Sequence, residues 1–249
     1  MTVPDQVAER VRKVAPRGCS VLAGSLPVVS FGDFRTARVA TLALNPSPLE
    51  FLDRRGHWLD GPHRRLASLR SIGVDDPREL DDAAVAEVVR ESNAYFDGPN
   101  WYRSWFHWLE ALITRAGLGS YVEATACHLD LVQWATRPAQ RHLSHGTWRA
   151  LVDQDQDFLS WQLRQTPAPT VLVNGAGCLR GLTAAGVVPA WEADELRFST
   201  AAGAPAVLQV FTAEASGKRF LGWNRPLAGA IPAEGRALLR DWVTATASR

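Results

Sequence analysis

Short apolar runs alternate along the chain with longer amphipathic stretches, and the two patterns predict strands and helices respectively. Residues 38–44, RVATLAL, form a continuous run of β-formers closed by Asn45-Pro46, which predicts a buried strand entering a loop. Tyr121 to Leu131 predicts a second strand and Pro169 to Asn174 a third, turned by Gly175-Ala176-Gly177 into a short helix. Val207 to Thr212 and Arg219 to Trp223 predict two more, with Leu196 to Ser199 as an added edge. Helices are predicted over Gln6 to Val14, Pro62 to Leu69, Ala83 to Phe96, Tyr102 to Ala116, Thr147 to Gln165 and Glu234 to Val243. Apolar strands alternating with helices predict an α/β fold. It should be three-layer α/β/α, with a central, mostly parallel sheet of about four strands and a possible edge hairpin. Residues 1–249 read as a single domain, with 1–37 as an N-terminal helical extension.

Composition narrows the class. A chain of 249 residues suits one large domain, and its ten Trp can repay the entropy of ordering a core. No apolar run approaches the roughly 18 residues of a membrane span. The opening MTVPDQVAERVRKVAP has acidic residues and no apolar stretch, so a secretory signal is not expected and a cytoplasmic setting is. Cys19, Cys127 and Cys178 are far apart and form no CxxC pair, which predicts neither a disulfide framework nor a zinc site. No metal or cofactor is expected, and a monomer is. The formal net charge is +1, and Lys13 and Lys218 are the only lysines. Arginine forks onto phosphate better than lysine, but an Arg- and Ala-rich chain also follows from genome base composition. Any nucleic-acid site must therefore be a local patch.

Ligands of open parallel sheets bind at the carboxyl ends of the strands. The loops there are Asn45 to Pro48, Thr125 to Trp134, Asn174-Gly175 and Gly222 to Pro226, and three of these four carry an Asn. An amide offers an acceptor and two donors without charge, so it can hold a water or pair with a base edge; an Asx-turn explains Asn45 equally simply. Arg54, Arg55, Arg64 and Arg65 follow the first loop, as phosphate contacts or as a solvated face. Trp105, Phe106 and Trp108 fall at core spacing on a helix, whereas Trp101 precedes it and is freer to stack on a ligand. His128 and Asp130 flank a Cys127 that strand alternation puts on the opposite face, and no GxSxG is present, so triad hydrolysis is not expected. Gly175 to Gly177 lacks the GxGxxG spacing and the P-loop lysine, and no HxE with PCxxC marks a zinc deaminase.

Taken together, Ala43-Leu44-Asn45-Pro46-Ser47-Pro48 resembles the first motif of the uracil-DNA glycosylase superfamily, in the Gly-x-Asn-Pro-Gly form of its mismatch-specific and single-strand-selective monofunctional members. Ala43 and Ser47 replace the two glycines. The resemblance spans about Arg38 to Val243 and implies a DNA glycosylase in which Asn45 orients the hydrolytic water. It implies that Thr125 stands where the family reads the base, and that Leu221 to Pro226 stands where a His-Pro-Ser motif belongs. That histidine is replaced by Trp223 or Asn224. Asn224 is then the second catalytic candidate; Phe51, Trp101, Thr125 and Trp223 are the base-binding candidates, and Ser47 and Arg225 the phosphate-binding ones. His57, His63 and His145 are the histidines that a loop could bring in place of the missing one, or they are surface residues. The expected partner is single- or double-stranded DNA or a nucleobase-containing ligand. Two other functions fit the same crevice: a non-catalytic module recognising modified nucleic acid, and an enzyme acting on a free nucleoside or nucleotide.

Overall fold

β1 (Val39–Ala43), β2 (Ala126–Asp130) and β3 (Thr170–Asn174) are buried at every position. A strand covered on both faces needs no polar side, so these segments read as unbroken apolar runs. The structure, a computed structural model, describes residues 3–248 apart from the side chain of Ala230. β4 (Glu192–Ser199), β5 (Pro205–Ala215) and β6 (Lys218–Trp223) complete a six-stranded sheet of order β2-β1-β3-β6-β5-β4. β2, β1, β3 and β6 run parallel to one another. The β5 pairings to β6 and β4 are antiparallel. The sheet is thus mixed and has six strands rather than about four, because the hairpin is hydrogen-bonded into it.

The helices are α1 (Asp5–Val11), α2 (Leu69–Ile72), α3 (Asp82–Asn93), α4 (Arg103–Arg115), α5 (His145–Gln165), α6 (Ala176–Ala184), α7 (Leu227–Ala230) and α8 (Ala233–Ala247). They cover both faces. Ala40, Leu42, Cys127, Leu129, Val171 and Val173 pack with α1, α3, α5 and α6. Val39, Ala126, Leu172 and Leu221 pack with α4 and α8. No helix among the described residues is long and apolar enough to cross a membrane.

Three expectations need correction. Pro62 to Leu69 is not a helix: a single 3-10 turn covers Gly61–His63, and α2 begins only after Ser68. Ser68 and Ser71 exchange side-chain to backbone hydrogen bonds in a capping box, which fixes the start there. Among the described residues, 3–37 are not a helical extension beyond α1. Phe31 instead bridges antiparallel to His128 at the free edge of β2, the two exchanging backbone bonds of 2.9 and 2.8 Å, while Val21, Leu22 and Val28 contact Thr136, Ala135 and Gln133 in the segment that follows β2. Covering an edge strand this way removes a template for unwanted pairing. Finally, β2 starts at Ala126, not Tyr121, since Tyr121 to Thr125 form a turn in which Ala124 has φ 54°.

Candidate functional site

The chain leaves β1 towards β2 on one side and leaves β3 towards β6 on the other, so the carboxyl ends of β1 and β3 diverge over a crevice. That crevice is a cleft of about 570 Å³. Asn45 through Pro48 form one wall, and Asn174 to Gly177 with Asn224 and Pro226 form the other. Phe31, Tyr102, Trp105 and Phe106 supply aromatic surface, and Glu50, His128 and Asp130 supply titratable groups.

Asn45 is fixed by its amide nitrogen. Nδ2 donates to the Trp134 carbonyl at 3.0 Å, Thr136 Oγ1 at 3.1 Å and the Pro46 carbonyl at 3.2 Å. The Oδ1 end has no partner among these bonds and remains an acceptor for a ligand or a water. Ser47 also lines the cleft and caps the turn Pro48–Glu50, its Oγ accepting from Leu49 N at 3.2 Å.

That turn carries Glu50 into the interior, where it is 2% exposed. The Tyr95 hydroxyl donates to its Oε2. Burial, opposed by the Tyr95 bond and by the Arg65 charge and reinforced by Asp130, pushes the Glu50 carboxyl up to about 8. At neutral pH it is therefore an acid that still holds its proton. Arg65 is anchored by donation to the Leu49 and Asn100 carbonyls and lies over the Tyr102 ring.

His128 and Asp130 project from the same face of β2. His128 Nδ1 lies 2.6 Å from Thr41 Oγ1, which lies 2.5 Å from the Tyr121 hydroxyl. Its Nε2 lies 3.5 Å from Asp130 Oδ1, and its ring sits edge-on against Phe106. Asp130 is 4% exposed. Burial raises its carboxyl above the ordinary range, and His128 opposes the rise. Cys127 points to the other face, into the apolar core, and burial pushes its thiol up. It is not a nucleophile paired with His128. Cys19, Cys127 and Cys178 are all free and buried. Among the described residues no group of His, Cys, Asp or Glu is arranged to hold a metal ion.

Asn45, Ser47 and Asn224 therefore meet at the cleft, and the other sequence candidates do not line it. Thr125 precedes β2, so it sits at the amino end of the sheet, bonded to Ser120. Phe51 packs beneath the loop against Trp58. Trp101 packs on Phe96, with the Arg103 guanidinium over its ring. Trp223 is buried at the end of β6, and its indole donates to Asn174 Oδ1 at 3.0 Å. Asn224 Nδ2 donates to Gln209 Oε1 at 3.1 Å, while its Oδ1 is buried without a partner. Arg225 is exposed beside it. Arg141 lines the cleft instead. His57 is exposed and bonded to Asp53, and neither His63 nor His145 lines the cleft. Glu50 is not among the sequence candidates, because the residues that surround it are distant along the chain. His128 and Asp130 were seen but read only as a triad. Compared with protein-family models and with curated proteins, this sequence matches none, so a functional reading rests on the chemistry of the cleft.

Proposed function

We propose that the protein hydrolyses the N-glycosidic bond of a uracil-like or modified base in DNA, in the manner of the uracil-DNA glycosylase superfamily that its Asn-Pro loop resembles. The observation that carries this reading is Asn45: its amide nitrogen is tied to Trp134 and Thr136, and its oxygen is left at a cleft that also holds a protonated Glu50. Asn45 Oδ1 accepts a hydrogen bond from the water and aims its oxygen at C1′. As the C1′–N bond breaks, its electron pair leaves with the base, and the water oxygen bonds to C1′. The base takes the Glu50 proton, and the proton lost by the water passes to Glu50, restoring its acid form. General acid catalysis of this kind contributes roughly 10²–10⁴-fold. It takes the part that the family assigns to a histidine absent here.

A DNA partner is supported by the rim. Arg141 is at the cleft, and the Arg137 guanidinium lies against Gly56, next to exposed Arg54 and Arg55. Guanidinium groups at and after the cleft loops suit phosphate contacts. The test is base release from single- and double-stranded oligonucleotides carrying uracil, hypoxanthine, xanthine, 5-hydroxymethyluracil or mismatched thymine, with Asn45→Ala alongside. Release that the variant loses is the expected result. Release unchanged in Asn45→Ala removes the water-positioning role, and binding without release on every substrate favours a recognition module.

A further inference from the structure

Asp130 lines the cleft, and its Oδ1 has no well-formed hydrogen bond among the described residues, its nearest donor being His128 Nε2 at 3.5 Å. It is 4% exposed, so neither bulk water nor a flexible surface chain satisfies it. A buried acceptor left in this state is costly, and the cost falls when a ligand supplies the donor. The surrounding walls are aromatic: Phe31 and Phe106 flank the His128 ring, and Tyr102 and Trp105 stand across the cleft. A planar heterocycle fits such walls. We infer that Asp130 reads the edge of that heterocycle and selects one with adjacent N–H donors, as in the N1–H and 2-amino group of a guanine-type base, over one with a carbonyl there.

The charge distribution favours this edge. His128 Nε2, 3.5 Å from Asp130 Oδ1, opposes the rise that burial causes in that carboxyl, and it is the ionised form of Asp130 that makes the selection. An ionised carboxylate only accepts hydrogen bonds. A uracil edge would turn a carbonyl oxygen towards it and be repelled, and a hypoxanthine edge offers one N–H beside a C–H, whereas a cyclic guanidine edge gives it two donors. An asparagine at the same place would reverse the preference, because an amide pairs with a mixed donor and acceptor edge. The inference rests on the reading of the cleft as a nucleobase site and narrows the base within it, away from uracil and towards modified purines that retain the 2-amino group.

Calorimetric titration of the full chain with 2′-deoxyguanosine, 2′-deoxyinosine and 2′-deoxyuridine tests it without any cleavage step. Deoxyguanosine and deoxyinosine differ only by the 2-amino group. A lost partner at a bidentate contact should weaken binding about tenfold or more. Asp130→Asn should abolish that difference and strengthen deoxyuridine binding. Equal affinities for the two purine nucleosides in the unmodified protein overturn the inference, and that comparison needs no variant to fold. A preference that survives in Asp130→Asn also overturns it. Deoxyuridine bound best would keep the nucleobase site and sink the proposed edge. No saturable binding of any nucleoside at millimolar concentration removes both. Guanine preference without base release would leave this inference standing and remove the glycosylase reading.

Discussion

At the scale of single residues, the site depends on how neighbours hold two side chains. Asn45 is immobilised through its nitrogen, which selects the oxygen as its working end. Glu50 is neutral because burial, reinforced by Asp130, outweighs the Tyr95 hydrogen bond and the Arg65 charge that favour its ionised form. Only the first was legible in the sequence, since Asn-Pro after an apolar run marks a strand exit on its own. The partners of Glu50 lie 15 to 80 positions further along the chain, and nothing local announces its burial. A consequence is measurable in stability. The Glu50 carboxyl is raised from 4.5 to about 8, so between those values the unfolded chain ionises while the native one does not. Native stability should therefore be undiminished below about pH 4.5, fall as pH rises to about 8, and level off beyond, for a total on the order of a few kcal/mol. Urea unfolding of Glu50→Gln should lack that decline and match or exceed the unmodified protein at pH 8.5. Parallel pH profiles for the two proteins would show that Glu50 titrates normally. If Glu50 is the general acid, base release should also fall through about pH 8, and Glu50→Gln should release base about a hundredfold more slowly or worse.

At the scale of elements, the cleft walls are fixed by how strands end. Gly175 follows β3 with φ 101° and ψ 150°, a conformation open essentially to glycine alone. Its N–H donates to the Trp223 carbonyl at 3.0 Å, while Asn174 Oδ1 accepts from the Trp223 indole and from Leu227 N, each at 3.0 Å. One turn thus ties β3, β6 and α7 together and sets where α6 begins. Gly175→Ala should cost about 1–3 kcal/mol, read as a drop of roughly 2–10 °C in Tm. Ligand affinity should fall with it, because Gly175 and Ala176 line the cleft. An unchanged Tm would mean the turn relaxes at no cost. The sequence showed this element as a Gly-rich turn after an apolar strand, and β1, β3, α4 and α5 by their periodicity. It misplaced Thr125 because the turn over residues 121–125 shares its β-formers with the strand that follows. Where a strand starts was decided by Ala124 at φ 54° and by Thr125 bonding back to Ser120, which residue preferences do not encode.

At the scale of the whole molecule, the site is connected to the opposite end of the chain. The segment after α1 pairs with His128 of β2 and with the stretch that follows β2, and it delivers Phe31 to the cleft, so residues 5–31 help to build it. Their anchor is Arg10. Its guanidinium lies between the Trp134 and Phe158 rings, at 5.3 and 5.7 Å, and its Nη1 is 2.7 Å from Asp155 Oδ1. Burial lowers the Arg10 pKa and raises that of Asp155, and each shift is opposed chiefly by the other charge. The second Asp155 oxygen accepts from Gln133 N at 2.8 Å, and the next residue, Trp134, offers the carbonyl that fixes Asn45. The pair thus joins α1, α5 and the Asn45 loop. Removing one member of a buried ion pair leaves the other charged in an apolar setting, which costs about 3–5 kcal/mol, whereas removing both charges costs far less. Arg10→Leu should therefore lower stability to chemical unfolding by about that amount. Adding Asp155→Asn should recover part of the loss, because an amide oxygen still accepts from Gln133 without a charge. A double variant no more stable than Arg10→Leu would mean that the loss comes from packing against Trp134 and Phe158 rather than from the stranded carboxylate. An Arg10→Leu protein as stable as the original would show that the N-terminal segment is held by its apolar contacts alone.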